Sequence, residues 1–294
     1  MIVEQPLLRG LTIAFLLTAM FSIGLQTTGR EIVQALRDRR FMERALLVNL
    51  VLVPALGVIV ALAVPVSREV KLGLILLSLA PGAPFALQFT RLAKESVALA
   101  AGLAFFLAII AIIYTPVLAS LLLPLQAPLR MPYGRLTADL LVLLVLPLAV
   151  GIGFHRLVPG AARALVKPMF ILVTVIFVAL VVASGEIRRE AAHAVGGLGL
   201  LMMLAVIAGA MLIGWALGGP RYSDRRVLAI NSSMRNVAVA LVVAREAFPA
   251  GDVEVAVLAF FTLMVPANML LSVWATVHQK RQAKRERDQT DQVD

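Results

Sequence analysis

Nine stretches of about twenty apolar residues follow one another along this chain, and short segments that carry most of its charge separate them. A helix needs ~20 apolar residues, at 1.5 Å each, to cross ~30 Å of hydrocarbon. The stretches fall at about 7–26, 45–66, 72–92, 96–124, 136–156, 166–186, 196–218, 227–248 and 254–277, the fourth long enough to tilt or to kink at Pro116. The chain is 61% hydrophobic and 15% charged, where soluble domains run ~45–50% and ~25%. No single soluble core could hide that much apolar surface. Outer-membrane barrels show alternation rather than long apolar runs. The fold class expected is therefore all-α and polytopic, with about nine membrane helices. The absence of cysteine excludes disulfides, thiolate zinc sites and iron–sulfur clusters.

The net charge of +10 invites a nucleic-acid reading, which fails on position: the basic residues sit between apolar runs, not along one face. Lys and Arg in short loops set the orientation of a membrane protein. With nine spans, 18 of the 27 basic residues fall on one side and 7 on the other, and Arg235 and Arg245 lie in span eight. The first side is expected to be cytoplasmic, with the N-terminus outside and the C-terminus inside, as in a bacterial inner-membrane protein. The first span lacks a basic leader and a small-residue cleavage site, so it reads as a span rather than a cleaved signal. Residues 279–294 read as a charged, unstructured cytoplasmic tail.

Two spans contain helix breakers. Span three carries Ala80-Pro81-Gly82-Ala83-Pro84, and span eight carries Asn231-Ser232-Ser233-Met234-Arg235-Asn236. Proline lacks an amide donor and clashes with the preceding turn. Open backbone at bilayer depth is tolerated only where protein buries it or where it lines a cavity. Each break lies in the next-to-last span of its half and is followed by one long closing helix, and the two run in opposite directions. This predicts two inverted repeats, spans one to four (1–124, lacking an opening helix) and spans five to nine (125–278). Paired interrupted segments in inverted repeats point to a transporter's solute site.

Arg235 is the residue hardest to explain by topology. A guanidinium at the bilayer centre costs ~2.5–3.5 kcal/mol on insertion scales. Few acids are placed to pair with it, since only Asp139 and Glu246 read as lying in or at the edge of spans. Arg235 could bond the carbonyls freed by the first break, or Asn49, or an anionic solute. Asn236, Asn231, Ser232, Ser233, Gln88, Thr90 and Asn49 complete the candidate solute site, with Pro81, Gly82, Pro84 and Met234 shaping the breaks. Asn268 reads as a helix–helix hydrogen bond, and His155 as an interfacial residue. Three scattered histidines and no paired intramembrane carboxylates argue against an enzyme and against a metal site.

These segments resemble those of the bile acid:sodium symporter family, within a superfamily that includes arsenite efflux carriers. Met20-Phe-Ser-Ile-Gly-Leu25 is similar to the family's M-F-x-M-G-L segment, and Asn49-Leu-Val-Leu-Val-Pro54 to its Q-F-x-x-x-P helix. Ala80 to Leu87, followed by Leu92-Ala-Lys, resembles the crossover P-G-G-T-x-S-N and its L-A-K/R sequel; Asn231 to Asn236 resembles the E-x-G-M-Q-N crossover. Members have ten helices, so nine spans imply a missing first helix. The resemblance implies a secondary transporter that moves a small organic anion by alternating access. It also implies sodium ligands at positions where this chain has Ala86, Leu87, Ala100 and Ala104, which offer no side-chain oxygen. At the second sodium site the acid is replaced by Asn231 and a glutamine by Arg235, while Asn49 keeps its amide. No cofactor is expected, and sodium coupling is disfavoured. The partners expected are a small anionic solute and the bilayer, not nucleic acid. The competing readings are an arsenite- or auxin-efflux-like exporter of the same superfamily and a ligand-binding membrane sensor that does not transport.

Overall fold

A computed structural model describes the chain except for residues 1–5, 27–37, 84, 124–133, 135–137, 139–140, 184, 249–251 and 291–294. Pro84 therefore lies outside the described residues. The described residues form twelve α-helices and no strand. In chain order they are α1 (Pro6–Gln26), α2 (Arg39–Leu47), α3 (Val53–Ala63), α4 (Arg68–Ser78), α5 (Ala86–Leu92), α6 (Val97–Leu122), α7 (Leu146–Leu157), α8 (Pro159–Ala183), α9 (Gly185–Leu217), α10 (Tyr222–Ser233), α11 (Val237–Ala247) and α12 (Asp252–Thr290).

Five rods are long and apolar enough to cross a bilayer: Arg39–Ala63, Leu99–Leu122, Pro159–Leu180, Val195–Leu217 and Val253–Val277. Gly10–Gln26 and Leu141–Leu157 are shorter apolar helices. The third and eighth apolar stretches are absent from that set because each is divided. Helices α4 and α5 have 11 and 7 residues, and α10 and α11 have 12 and 11. At 1.5 Å per residue none of these four reaches ~30 Å. The chain is an integral membrane protein built wholly from helices among its described residues.

Local sequence sets most boundaries. Ser67 caps α4 by accepting from Val70 N–H, Ser96 caps α6 through Leu99 N–H, and Asn236 caps α11 through Val239 N–H. Before Pro54 and before Pro147 the helix widens into π-helical turns, Val48–Leu52 and Leu141–Val145. A proline removes one donor from the turn that precedes it, and the wider turn redirects the carbonyls left free. Pro116, where a tilt or kink was expected, lies inside α6, which is helical from end to end. Helix α9 bends at Gly196, whose φ is 69°. The expected unstructured tail differs from the structure, in which α12 continues to Thr290. Gln, Lys, Arg, Ala and Glu dominate that stretch and all favour helix, and no Gly or Pro follows Pro266.

The helices pack as two groups. Helices α1, α7 and α8 contact one another; α2–α3, α4, α5, α6, α9, α10, α11 and α12 form the other group. Glycines let α1 and α7 approach backbone to backbone, as small residues do in membrane interfaces. A Cβ on Gly24 would lie 2.3 Å from the Leu148 carbonyl oxygen, and one on Gly151 would lie 2.4 Å from that of Phe21. Gly24→Val or Gly151→Val is expected to force the pair apart at a cost of ~1–3 kcal/mol. A lowered melting temperature in detergent would register it, while Gly153→Val on the same helix, where nothing lies within 4 Å of the added Cβ, should leave it unchanged.

Candidate functional site

The two interruptions meet. The chain leaves helix after Ser78 and resumes it at Ala86; the second gap spans Met234 to Asn236. Gly82 has φ 82°, a left-handed conformation, and a Cβ there would lie 2.7 Å from the Ala108 backbone nitrogen of α6. Glycine answers both the conformation and the close approach.

Buried backbone carbonyls need donors, and the second interruption supplies them to the first. Asn236 N–H donates to Ala80 O at 2.8 Å, and its side-chain amide donates to Gly82 O at 3.2 Å. Thr115 of α6 donates to Leu79 O at 2.8 Å. Arg235 Nε donates to Leu77 O at 3.2 Å, and Nη2 donates to Ser78 O. Carbonyls 77 to 80 are thus all occupied, three of the four from residues 235 and 236.

The remaining Arg235 donors turn to the first π-helical turn and to the helix before it. Nη1 donates to Asn49 Oδ1 at 3.1 Å and to Ser232 O at 3.5 Å, and Nη2 reaches Asn49 O at 3.4 Å. A guanidinium has five N–H donors, and this one has five oxygens around it, none of them a carboxylate. Asn49 O is accessible because Pro54 brings no N–H to that turn; the neighbouring Leu50 O receives the Tyr114 hydroxyl. Arg235 is 2% exposed.

The predicted polar residues are all present in this region but do not all face one space. Asn231, Ser232, Ser233, Thr90, Asn49 and Asn236 are buried. Asn231 donates to Val227 O, Ser232 to Ala210 O, Thr90 to Ala86 O, and the Ser233 hydroxyl meets Asn268 Oδ1 at 2.8 Å. Met234 is fully buried and closes α10 through Ile230 O. Ser232 also fills the space beside Gly214, where a Cβ would come within 2.3 Å of its hydroxyl. Ser232 and Ser233 thus tie α10 to α9 and α12, whereas the Asn231 and Thr90 bonds stay within their own helices. His155 Nδ1 lies 2.6 Å from Leu25 O and ties the end of α7 to the end of α1.

Gln88 is different. It lines a narrow cavity between the two helix groups, with room for about one water, together with Ser22 and Gln26 of α1, Val173 of α8, and Phe85 and Leu87 at the start of α5. Its Oε1 is buried without a hydrogen-bond partner among the described residues. An aromatic stack crosses the same seam: Phe85 lies 4.7 Å from Phe15 of α1 and 4.4 Å from Phe177 of α8, and Phe177 is 5.3 Å from Phe261 of α12. Sequence reasoning missed Ser22, Gln26 and the aromatic stack because their partners lie far along the chain. The one local signal was the polar i, i+4 pair Ser22 and Gln26 in an otherwise apolar helix.

A family model described as the sodium bile acid symporter family matches residues 13–188, more than half of the chain. The chain belongs to the sodium bile acid symporter family. No curated protein matches it in sequence. The matched region contains the first interruption, the cavity residues and α6; the second interruption lies beyond its end. Members of this family are transporters, which agrees with the reading that the chain is not an enzyme. Ala86, Leu87, Ala100 and Ala104, which stand where the resemblance places sodium-ligand side chains, are 0%, 1%, 0% and 0% exposed, so the matched segment closes there on hydrocarbon.

Proposed function

We propose that this protein is a secondary transporter that moves a small organic anion by alternating access, without sodium. The observation that carries the reading is the oxygen cage around Arg235. Carbonyl and amide oxygens from Asn49, Leu77, Ser78 and Ser232 surround a fixed positive charge where the family resemblance calls for a metal cation. A guanidinium cannot leave with each transport cycle, so the charge that joins the two interrupted helices is permanent. The residues do not fit sodium, which takes hard oxygen donors. Asn231 replaces the acid, and the other set of positions is aliphatic.

In this reading α1, α7 and α8 move against the remaining helices, and the solute is held at the seam beside Gln88. The order of elements supports inverted repeats: α1, α2–α3, α4–α5 and α6 correspond to α8, α9, α10–α11 and α12, and α7 has no counterpart. That gives nine spans, with the N-terminus outside and the arginine-rich loops and C-terminus in the cytoplasm of a bacterial cell. Arg235, Asn236, Asn231, Ser232, Ser233, Asn49 and Thr90 then act as the scaffold of the crossing, and Gln88 is the member of the predicted set that meets solute.

The test is counterflow in proteoliposomes with labelled benzoate, lactate and mandelate, chosen after a thermal-shift screen of organic anions. Uptake against an unlabelled internal pool, equal in sodium and in potassium, is expected. Uptake that rises steeply with an imposed sodium gradient would overturn the sodium-free mechanism. Binding without counterflow would make the protein a sensor instead.

A further inference from the structure

We propose that Arg91 is the residue that receives the carboxylate of the solute in the seam cavity; this deepens the transport reading and rests on it. Arg91 lies on α5, one helical turn beyond Gln88. Its Nη2 donates to Gln26 Oε1, and Gln26 itself lines the cavity. Its guanidinium carbon sits 5.4 Å from the centre of the Phe170 ring of α8. A side chain of one helix group is thus held by two side chains of the other, at the rim of the space between them.

The charge of Arg91 is not spent. Among the described residues Gln26 is its one hydrogen-bond partner and it forms no ion pair. Most of its five donors remain available, where those of Arg235 are all occupied. A planar guanidinium fork matches a carboxylate with two parallel hydrogen bonds. The cavity suits such a ligand in other respects. Among the described residues its lining holds no acidic side chain. Gln26 Nε2 donates to Ser22 Oγ at 3.1 Å, so the Ser22 hydroxyl can turn its own proton to a ligand oxygen. Gln88 Oε1, the acceptor without a partner, suits a hydroxyl or N–H on the same ligand. As it stands the space has room for about one water, so the two helix groups part to admit the solute. The ligand class is a carboxylic acid, with Phe85, Leu87 and Val173 supplying the apolar wall.

The chain has no cysteine, so a single thiol placed in the cavity reports its potential without any ligand. In Gln88→Cys, the anionic reagent methanethiosulfonate ethylsulfonate is expected to react faster than its trimethylammonium counterpart. Adding Arg91→Gln should lower that rate ratio by about tenfold, since a nearby charge acts oppositely on the two reagents; Arg91→Lys should preserve it. Millimolar benzoate, lactate or mandelate should slow the anionic reagent in Gln88→Cys, and the matching amides should not. A rate ratio unchanged by Arg91→Gln in a monodisperse protein, or equal protection by acids and amides, would overturn the proposal. The transport reading fails separately: if counterflow is absent while the ratio still depends on Arg91, the anion site stands and translocation does not. If counterflow is present and the ratio ignores Arg91, only the assignment of Arg91 falls.

Discussion

Arg235→Ala is expected to remove most of the protein's stability. Five oxygens lose a donor at once: Leu77 O, Ser78 O, Ser232 O, and both oxygens of Asn49. Leu77 O keeps the Ala80 N–H and the other four are left unmatched; at ~1–3 kcal/mol for each buried acceptor, even the lower figure gives ~4 kcal/mol. Whole domains are stable by ~5–15 kcal/mol, and at ~2–4 °C per kcal/mol the loss corresponds to ~8–16 °C in melting temperature. Arg235→Lys should recover little of it, because one ammonium with three donors cannot reach acceptors spread around a planar fork. The informative companion is Arg235→Gln with Asn231→Glu, which restores the amide and the carboxylate that the family resemblance places there. Wild type is expected to melt at the same temperature in sodium and in potassium chloride. The double variant is expected to melt higher in sodium. Sodium stabilisation of wild type would show that the guanidinium does not stand in for the ion.

The all-helical membrane class was legible because bilayer physics leaves few options. Apolar run lengths announced membrane helices, five of which are long enough to cross a bilayer, and Pro81 and Gly82 marked the first break for a local reason, a missing donor and a left-handed turn. The cluster from Asn231 to Asn236 marked the second for a different one, five polar residues at depth. Hydropathy could not show that the two breaks satisfy each other. Asn49 and Arg235 were each legible as polar residues in apolar helices, but their pairing, 186 positions apart, is a matter of tertiary geometry. Arg91 was counted only for topology, since a sliding window sees its charge and not Phe170 or Gln26. The acidic residues were misjudged in the same way. Glu254 is 3% exposed although it opens a span. The Glu95 side chain is 4% exposed although it lies in a short polar turn. Helix ends look solvated in sequence whether or not another helix covers them.

That covered turn yields the second large effect. Arg226 Nη1 lies 2.8 Å from Glu95 Oε1, and each side chain is 4% exposed. Glu95 stands between α5 and α6, and Arg226 stands in the second turn of α10, so the pair links the far ends of the two interrupted segments. Removing one partner from a buried pair costs ~3–5 kcal/mol, because the other charge stays buried, whereas replacing both by apolar residues can be nearly neutral. Arg226→Met and Glu95→Leu are each expected to lower the melting temperature by ~10 °C or more, and the double variant by much less than their sum. Arg226 Nε, which has no partner among the described residues, adds a desolvation cost that the double variant relieves. Additive losses would mean the pair is not energetically coupled. If the double variant keeps its stability but loses counterflow, the pair is retained for the motion of the crossing. Full activity would make it a structural clamp alone. Either result separates what holds the two interruptions in place from what lets them move.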